Sequence, residues 1–438
     1  MKSSPMWPIS QALERLHRLG QSKFGQDMLW NIASLGVLGV GGVLINAVIV
    51  RLQGTEALGV FNQVYALYIV LSQVAVLGLQ ASVLKEVSYH HDHLGHCADL
   101  TVAALLLVAA VSSTLAVMCG LLAEQIGDVL HSPDVAQGVR WVAPGLIFFA
   151  LNKVLINVLN GLRRMRAYAV FSSLRFILLP TGVLLIGVLR LPAPLLALAL
   201  SATETLLFVA LLAFIQTRVI KLGLSKRIIN WFKPHLAFGL RGFLSGLLLE
   251  LNTRVDVLML GYFSTDLQVG VYSLAAMLAE GVGQIPVAVR WNVDPLLGRC
   301  FGQGDKAQIG VLARHIRRVL YPLMIVVGIL ALALYPPIYA LWVGDAQWRT
   351  SWIVFAIILL GVVINAGYKP FMGLLLQGGR PGAYTLFIGG LVLWDALMNL
   401  VFIPLGGVVG AAVVTALTYV LQMIALIVLA RRLFEIRL

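Results

Sequence analysis

Apolar stretches long enough to cross a bilayer recur from end to end of this chain, at about 28–51, 57–84, 98–122, 138–160, 166–189, 193–217, 236–262, 267–291, 311–337, 351–376, 382–404 and 408–431. The hydrocarbon core of a membrane is roughly 30 Å thick, a distance that about 20 helical residues span. Inside it every backbone N–H and C=O must be bonded within the protein, so stretches of this length fold as helices. The pattern predicts an all-α polytopic membrane protein with about twelve transmembrane helices. Composition agrees: 60% of the 438 residues are hydrophobic and only 12% are charged. A water-soluble domain carries about 25% charged residues, so the surface of this chain must face lipid.

Loop charge sets the expected orientation. With the N-terminus inside, alternate loops carry Lys85, Arg163, Arg164, Arg166, Arg218, Lys226, Arg227, Lys306, Arg380, Arg431 and Arg432, whereas Arg51, Arg140, Arg190 and Arg349 fall on the opposite side. The opposite loops hold acids such as Glu56, Glu124, Asp128, Asp134, Asp266 and Asp345. Cations collect on the cytoplasmic side of membrane proteins, so both termini are expected in the cytoplasm. The net charge of +13 is then mainly a topology signal, and no nucleic-acid partner is expected. Residues 1–27 read as a cytoplasmic interfacial amphipathic segment, with Ile9, Leu13 and Leu16 on one helical face and Arg15, Arg18 and Lys23 available to lipid headgroups. The stretch from Lys226 to Lys233 has the same interfacial character.

The two halves of the chain repeat. Asn31, Asn46, Thr55-Glu56 and Gly59-Val60-Phe61 are echoed by Arg241, Asp256, Thr265-Asp266 and Gly270-Val271-Tyr272, and Gln73 by Gln284. Later, Leu159-Asn160-Gly161 with Arg164 and Ala167-Tyr168 is echoed by Leu376-Gln377-Gly378 with Arg380 and Ala383-Tyr384. Shared order at the same helix ends predicts a six-helix bundle over 28–225 and a second over 226–438, in parallel topology because six crossings return the chain to one side.

Ionisable residues inside a bilayer are expensive and are functional candidates by default. Here they are Lys153, Arg175, Glu204, Arg241, Glu250, Arg254, Asp256, Glu280, Arg290, Lys369 and Asp395. At 100° per residue along the seventh helix, Arg241, Ser245, Asn252 and Asp256 share a face, lining a hydrated lumen or joining a structural network. Glu250 and Arg254 then sit on the opposite face at i,i+4 with the acid first, a spacing that suits a structural ion pair. Glu280, one turn from Gln284, could carry a coupling proton or bond a neighbouring backbone as a neutral acid. Lys153 and Lys369 lie at near-equivalent places before Gly161 and Gly378, facing a cavity or reaching towards headgroups.

Other signals carry less. The His90, His91, His93, His96 and Cys97 cluster lacks a second ligand pair at zinc-site spacing, so no metal is expected. Three scattered cysteines make no disulfide framework. No GxxxxGK[ST] appears, which excludes a phosphate-binding loop for ATP, and no cofactor is expected. The loops are too short for the extramembrane domain that an enzyme acting on lipid-linked sugars would need, so the chain reads as a secondary transporter.

At the residue level the opening of the chain resembles the polysaccharide and oligosaccharide (O-antigen type) flippases. The residues that carry the likeness are Asn46, Arg51-Leu52-x-Gly54, Gly59-Val60-Phe61 and Leu77-Gly78-Leu79 before Lys85-Glu86, then Asn160-Gly161-Leu162-Arg163-Arg164 with Ala167-Tyr168. That family shares a superfamily with multidrug-and-toxin extrusion transporters and peptidoglycan-precursor flippases. The resemblance implies two six-helix bundles that expose a lumen to each side in turn, in the inner membrane of a bacterium. It implies a cargo of undecaprenyl-diphosphate-linked oligosaccharide bound for a surface polysaccharide, and glycosyltransferases and a polymerase as possible partners. Under it, Arg241, Lys153 and Lys369 would supply cations for the diphosphate. Asn31, Asn46, Gln73, Asn252 and Gln284 would meet sugar hydroxyls, and Asp256, Glu280 or Asp395 would couple an ion. The alternative within the superfamily is a cation-coupled exporter of drugs or other small molecules. Drug-extruding members carry an acid inside the first helix, where this chain has Asn46.

Overall fold

The computed structural model describes residues 40–344 and 346–438, so the expected interfacial segment at 1–27 and Asn31 lie outside the described residues. Fifteen α-helices and no strand occur among them. They are α1 (Val40–Gln53), α2 (Thr55–Val76), α3 (Leu79–Tyr89), α4 (Leu94–Leu121), α5 (Ala123–Val129), α6 (Pro133–Gly161), α7 (Met165–Val188) and α8 (Leu196–Arg218) in the first half of the chain. The second half holds α9 (Ile229–Leu251), α10 (Val255–Phe263), α11 (Asp266–Gln303), α12 (Lys306–Trp342), α13 (Trp348–Asn365), α14 (Leu374–Gln377) and α15 (Pro381–Phe434). Nine helical stretches among the described residues are long and apolar enough to cross a membrane.

Every expected crossing has a helical counterpart, but several are not single helices. The second is α2 and α3, separated where Leu77 and Gly78 both adopt positive φ. The seventh is α9 and α10, separated at Asn252-Thr253-Arg254. The tenth unwinds after α13 and resumes through a short 3-10 turn at Lys369–Phe371, where Pro370 has no N–H to continue the ladder. Conversely α15 runs for 54 residues through the eleventh and twelfth, and Gly407 (φ 54°, ψ −134°) divides it. Only glycine takes that conformation without strain.

Packing separates core helices from lipid-facing ones. The apolar window of α6 is 67% buried, that of α12 only 22%. In a membrane the surface of α12 needs no polar coat, because lipid is its solvent. α6 packs against α2, α3, α4, α7 and α8, and α11 packs against α12, α13 and α15. The start of α6 is fixed by Ser132, whose Oγ accepts from Val135 N at 3.2 Å, with Pro133 in the first turn. The two groups of helices meet where α2 crosses α11 and where α9 leans on α2, α3 and α4. His235 of α9 is fully buried there, its Nε2 donating to Leu100 O (3.0 Å) and its Nδ1 2.9 Å from Ser82 Oγ.

Candidate transport cavity

The break in the seventh crossing builds the first part of the site. Because α9 stops at Leu251, Asp256 is not a mid-helix residue but stands in the first turn of α10, where its Oδ1 accepts from Val257 N at 2.9 Å. A carboxylate at a helix N-terminus is favoured by the free amides and the helix dipole. Its second oxygen accepts from the Tyr272 hydroxyl of α11, which also meets Thr415 Oγ1 of α15 at 2.8 Å.

Opposite, on α15, Asp395 accepts from Thr418 Oγ1 (2.9 Å) and Asn399 Nδ2 (3.2 Å). Lys369, placed at the broken tenth crossing, donates to Gln422 Oε1 at 3.4 Å and lies 5.5 Å from the centroid of the Tyr419 ring. Gln422 also accepts from Asn365 Nδ2 at 2.6 Å. Glu280 and Gln284 complete the wall from α11. Of these side chains all but Tyr272 and Asn399 line one cavity of about 180 Å³. All three expected ion-coupling acids, Asp256, Glu280 and Asp395, face it together with Asn252, Gln284 and Lys369. The oxygens Asn252 Oδ1 and Asn365 Oδ1 are buried without a donor. Three acids, unmet amide oxygens and one amine therefore converge on one pocket.

A second polar cluster lies in the first half of the chain. Glu204, 2% exposed, is held by Arg175 (Nε–Oε1 2.5 Å, Nη2–Oε2 3.0 Å) and by Asn152 Nδ2 at 2.9 Å. The Arg175 guanidinium and the Lys153 ammonium both lie over the Phe149 ring, at 4.4 and 4.6 Å. Lys153 donates to Ser72 Oγ at 2.9 Å, and Gln73, next along α2, donates to Glu250 Oε1 at 3.0 Å.

A family profile described as "Polysaccharide biosynthesis protein" matches residues 24–286. The chain belongs to this family. A second profile, MatE, matches residues 243–393. Among solved structures, an inward-facing multidrug resistance MATE family transporter of the MOP superfamily superposes with a TM-score of 0.77 at 12% identity, over 91% of this chain and 94% of that one. The lipid II flippase MurJ in an inward closed conformation gives 0.76 at 14% identity, over 92% and 87%. An outward-facing MATE transporter gives 0.57 at 14% identity, over 93% and 94%. No curated protein sequence matches significantly. The chain therefore belongs to the polysaccharide biosynthesis protein family and has the fold of these MATE and MurJ structures.

Within that family frame the sequence-level candidates divide. Asn252, Asp256, Glu280, Gln284, Lys369 and Asp395 converge on one cavity. Lys153 and Gln73 lie with the first-half cluster. Asn46 donates to Gly42 O at 2.8 Å and faces Asn62 at 3.4 Å. Arg241 is exposed on α9, and no described residue pairs with it. The expected Glu250–Arg254 ion pair does not form. The i,i+4 geometry needs a continuous helix, and the chain unwinds between the two, so Glu250 turns to Gln73 and Arg254 lies 5.2 Å from the centroid of the Tyr65 ring. The same break removes Asp256 from the Arg241–Asn252 face. Sequence reasoning named Arg175 and Glu204 but not their pairing. It passed over Thr415, Thr418, Tyr419 and Gln422, although their i, i+3, i+4, i+7 spacing draws one polar stripe down an apolar helix.

Proposed function

We propose that this chain moves a polyprenyl-diphosphate-linked oligosaccharide across a bacterial inner membrane by alternating access, for surface polysaccharide assembly. The basic loops are taken as cytoplasmic, on the positive-inside pattern. The observation that carries the reading is the partition of buried charge. The second-half cavity, with Asp256, Glu280 and Asp395 against Lys369, suits a driving cation. Towards the first half stand Lys153, over the Phe149 ring, and Arg254, over the Tyr65 ring, with Glu250 bonded to Gln73; Arg241 is exposed on α9 and pairs with no described residue. That cationic side suits a diphosphate, for which buried ammonium and guanidinium groups are the natural ligands. Asn46, Asn62 and Gln73 on the same side offer amides to sugar hydroxyls. The polyprenyl tail remains in lipid through the gap between the halves. The family match over 24–286 supports a polysaccharide pathway, in which glycosyltransferases and a polymerase would supply and consume the cargo.

A second reading has one observation in its favour. The acidic cavity would equally accept an organic cation, as in a cation-coupled exporter of small molecules. Deleting the protein separates the two. The flippase reading predicts complete lipid-linked oligosaccharide accumulating in the inner leaflet, measured by its resistance to a membrane-impermeant glycosidase in right-side-out vesicles. Normal exposure of the glycan, with increased sensitivity to cationic drugs, would favour the exporter.

A further inference from the structure

Gly59 and Gly270, the glycines of the repeated Gly-Val-aromatic motifs, have no part in either polar cluster, although Tyr272 of the second motif bonds Asp256. Each glycine is the fifth residue of its helix, α2 or α11. Neither adopts positive φ, so backbone conformation does not require glycine at these positions. A glycine inside a helix is a cost relative to alanine, and here the reason for bearing it is close approach. A Cβ on Gly59 would stand 1.8 Å from Asp266 O, and one on Gly270 would stand 1.9 Å from Thr55 O. The contact is reciprocal: the first turns of α2 and α11 cross backbone to backbone. Beside the crossing, the Asp266 carboxylate of the second half is claimed entirely by the first half. Gln63 Nε2 donates to one oxygen and Ser132 Oγ to the other, each at 2.6 Å.

We infer that the Gly59–Gly270 crossing, latched by Gln63 and Ser132 on Asp266, is the gate at the end of the molecule remote from the basic loops, and that the glycines are required only while it is shut. This rests on the alternating-access reading above but not on the identity of the cargo. Separating α2 from α11 relieves the backbone contact, and a methyl group then has room. A side chain at either glycine therefore raises the energy of the shut state alone and shifts the population towards the open one. Gly281, further along α11, has nothing within 4 Å of its Cβ position and serves as the control.

The test places a reporter behind the gate. Ser273 lies one turn below Gly270 and is 7% exposed. Ser273→Cys, in a chain whose Cys97, Cys119 and Cys300 are replaced by alanine, is labelled with a membrane-impermeant maleimide in right-side-out and inside-out vesicles. Gly59→Ala and Gly270→Ala should each raise the labelling rate from the gate side by about tenfold. Asp266→Asn should raise it by a smaller factor, and Gly281→Ala should leave it unchanged. Parent-rate labelling of both glycine variants, inserted at parental amounts, would overturn the gate. If those two fail to insert, Asp266→Asn decides, since it adds no volume, and a parental rate there overturns the proposal. Faster labelling in a protein that moves no glycan would uphold the gate and count against the cargo.

Discussion

The two buried polar clusters are built from similar residues and differ in what is left over. In the first half, Glu204 is enclosed by Arg175, which forms the ion pair and donates from Nη2, and by Asn152. In the second half, Asp256 and Asp395 are bonded only by hydroxyl, amide and backbone donors, and Lys369 donates to Gln422. Lys153 and Lys369 sharpen the contrast. Both occupy near-equivalent places in the repeat, yet Lys153 stands on the unbroken α6 and Lys369 on an unwound crossing. A closed ion pair between two continuous helices is structure, whereas Asp256 at one helix break and Lys369 at another face an open cavity and are available to a ligand. Breaks free backbone groups and let side chains from three helices converge, which is how membrane proteins build ion sites.

The strongest way to break this contrast is to treat the closed pair as functional. Arg175→Ala leaves Glu204 as an uncompensated charge that is 2% exposed, a loss of about 3–5 kcal/mol. The expected outcome is poor insertion and a lowered melting temperature in detergent, measured by fluorescence-detected size exclusion. A well-folded but inactive variant would move Arg175 from structure to transport. A smaller effect is expected at Lys153, whose ammonium keeps only Ser72 and the Phe149 face. Lys153→Gln should fold normally and bind a polyprenyl diphosphate about tenfold more weakly, measured by ligand-dependent thermal stabilisation. Unchanged affinity would remove Lys153 from the cargo side and return the diphosphate to Lys369.

How much of this was legible in the sequence follows from which physical rule applied where. Helix number and core-to-lipid patterning depend on apolar run length, which tolerates local irregularity, so the crossings were readable at nearly full extent. The Gly59 and Gly270 motifs were visible as a repeat, but their contact was not, because it joins residues from two bundles. Glu250 and Arg254 were misread since i,i+4 reasoning presumes a continuous helix, and nothing in Asn252-Thr253-Arg254 resembles a breaker such as proline or glycine. Asp256, Glu280 and Asp395 were found because an acid among apolar residues stands out singly. Thr415, Thr418 and Gln422 were missed because neutral side chains bonding within a helix bundle do not.

The central claim is that the acidic second-half cavity takes the driving cation while the cargo is a lipid-linked oligosaccharide. Its most direct test uses the protein in proteoliposomes that contain polyprenyl-diphosphate oligosaccharide on one leaflet, under an imposed sodium or proton gradient. Appearance of the glycan on the other leaflet is followed with a membrane-impermeant glycosidase. The account predicts gradient-dependent translocation by the parent chain and a loss of about tenfold or more of that dependence in Asp256→Asn and Asp395→Asn, with both variants folded. Translocation that proceeds identically in the parent and in both variants would contradict the cation assignment, and a gradient-driven parent that leaves the glycan in place would contradict the cargo.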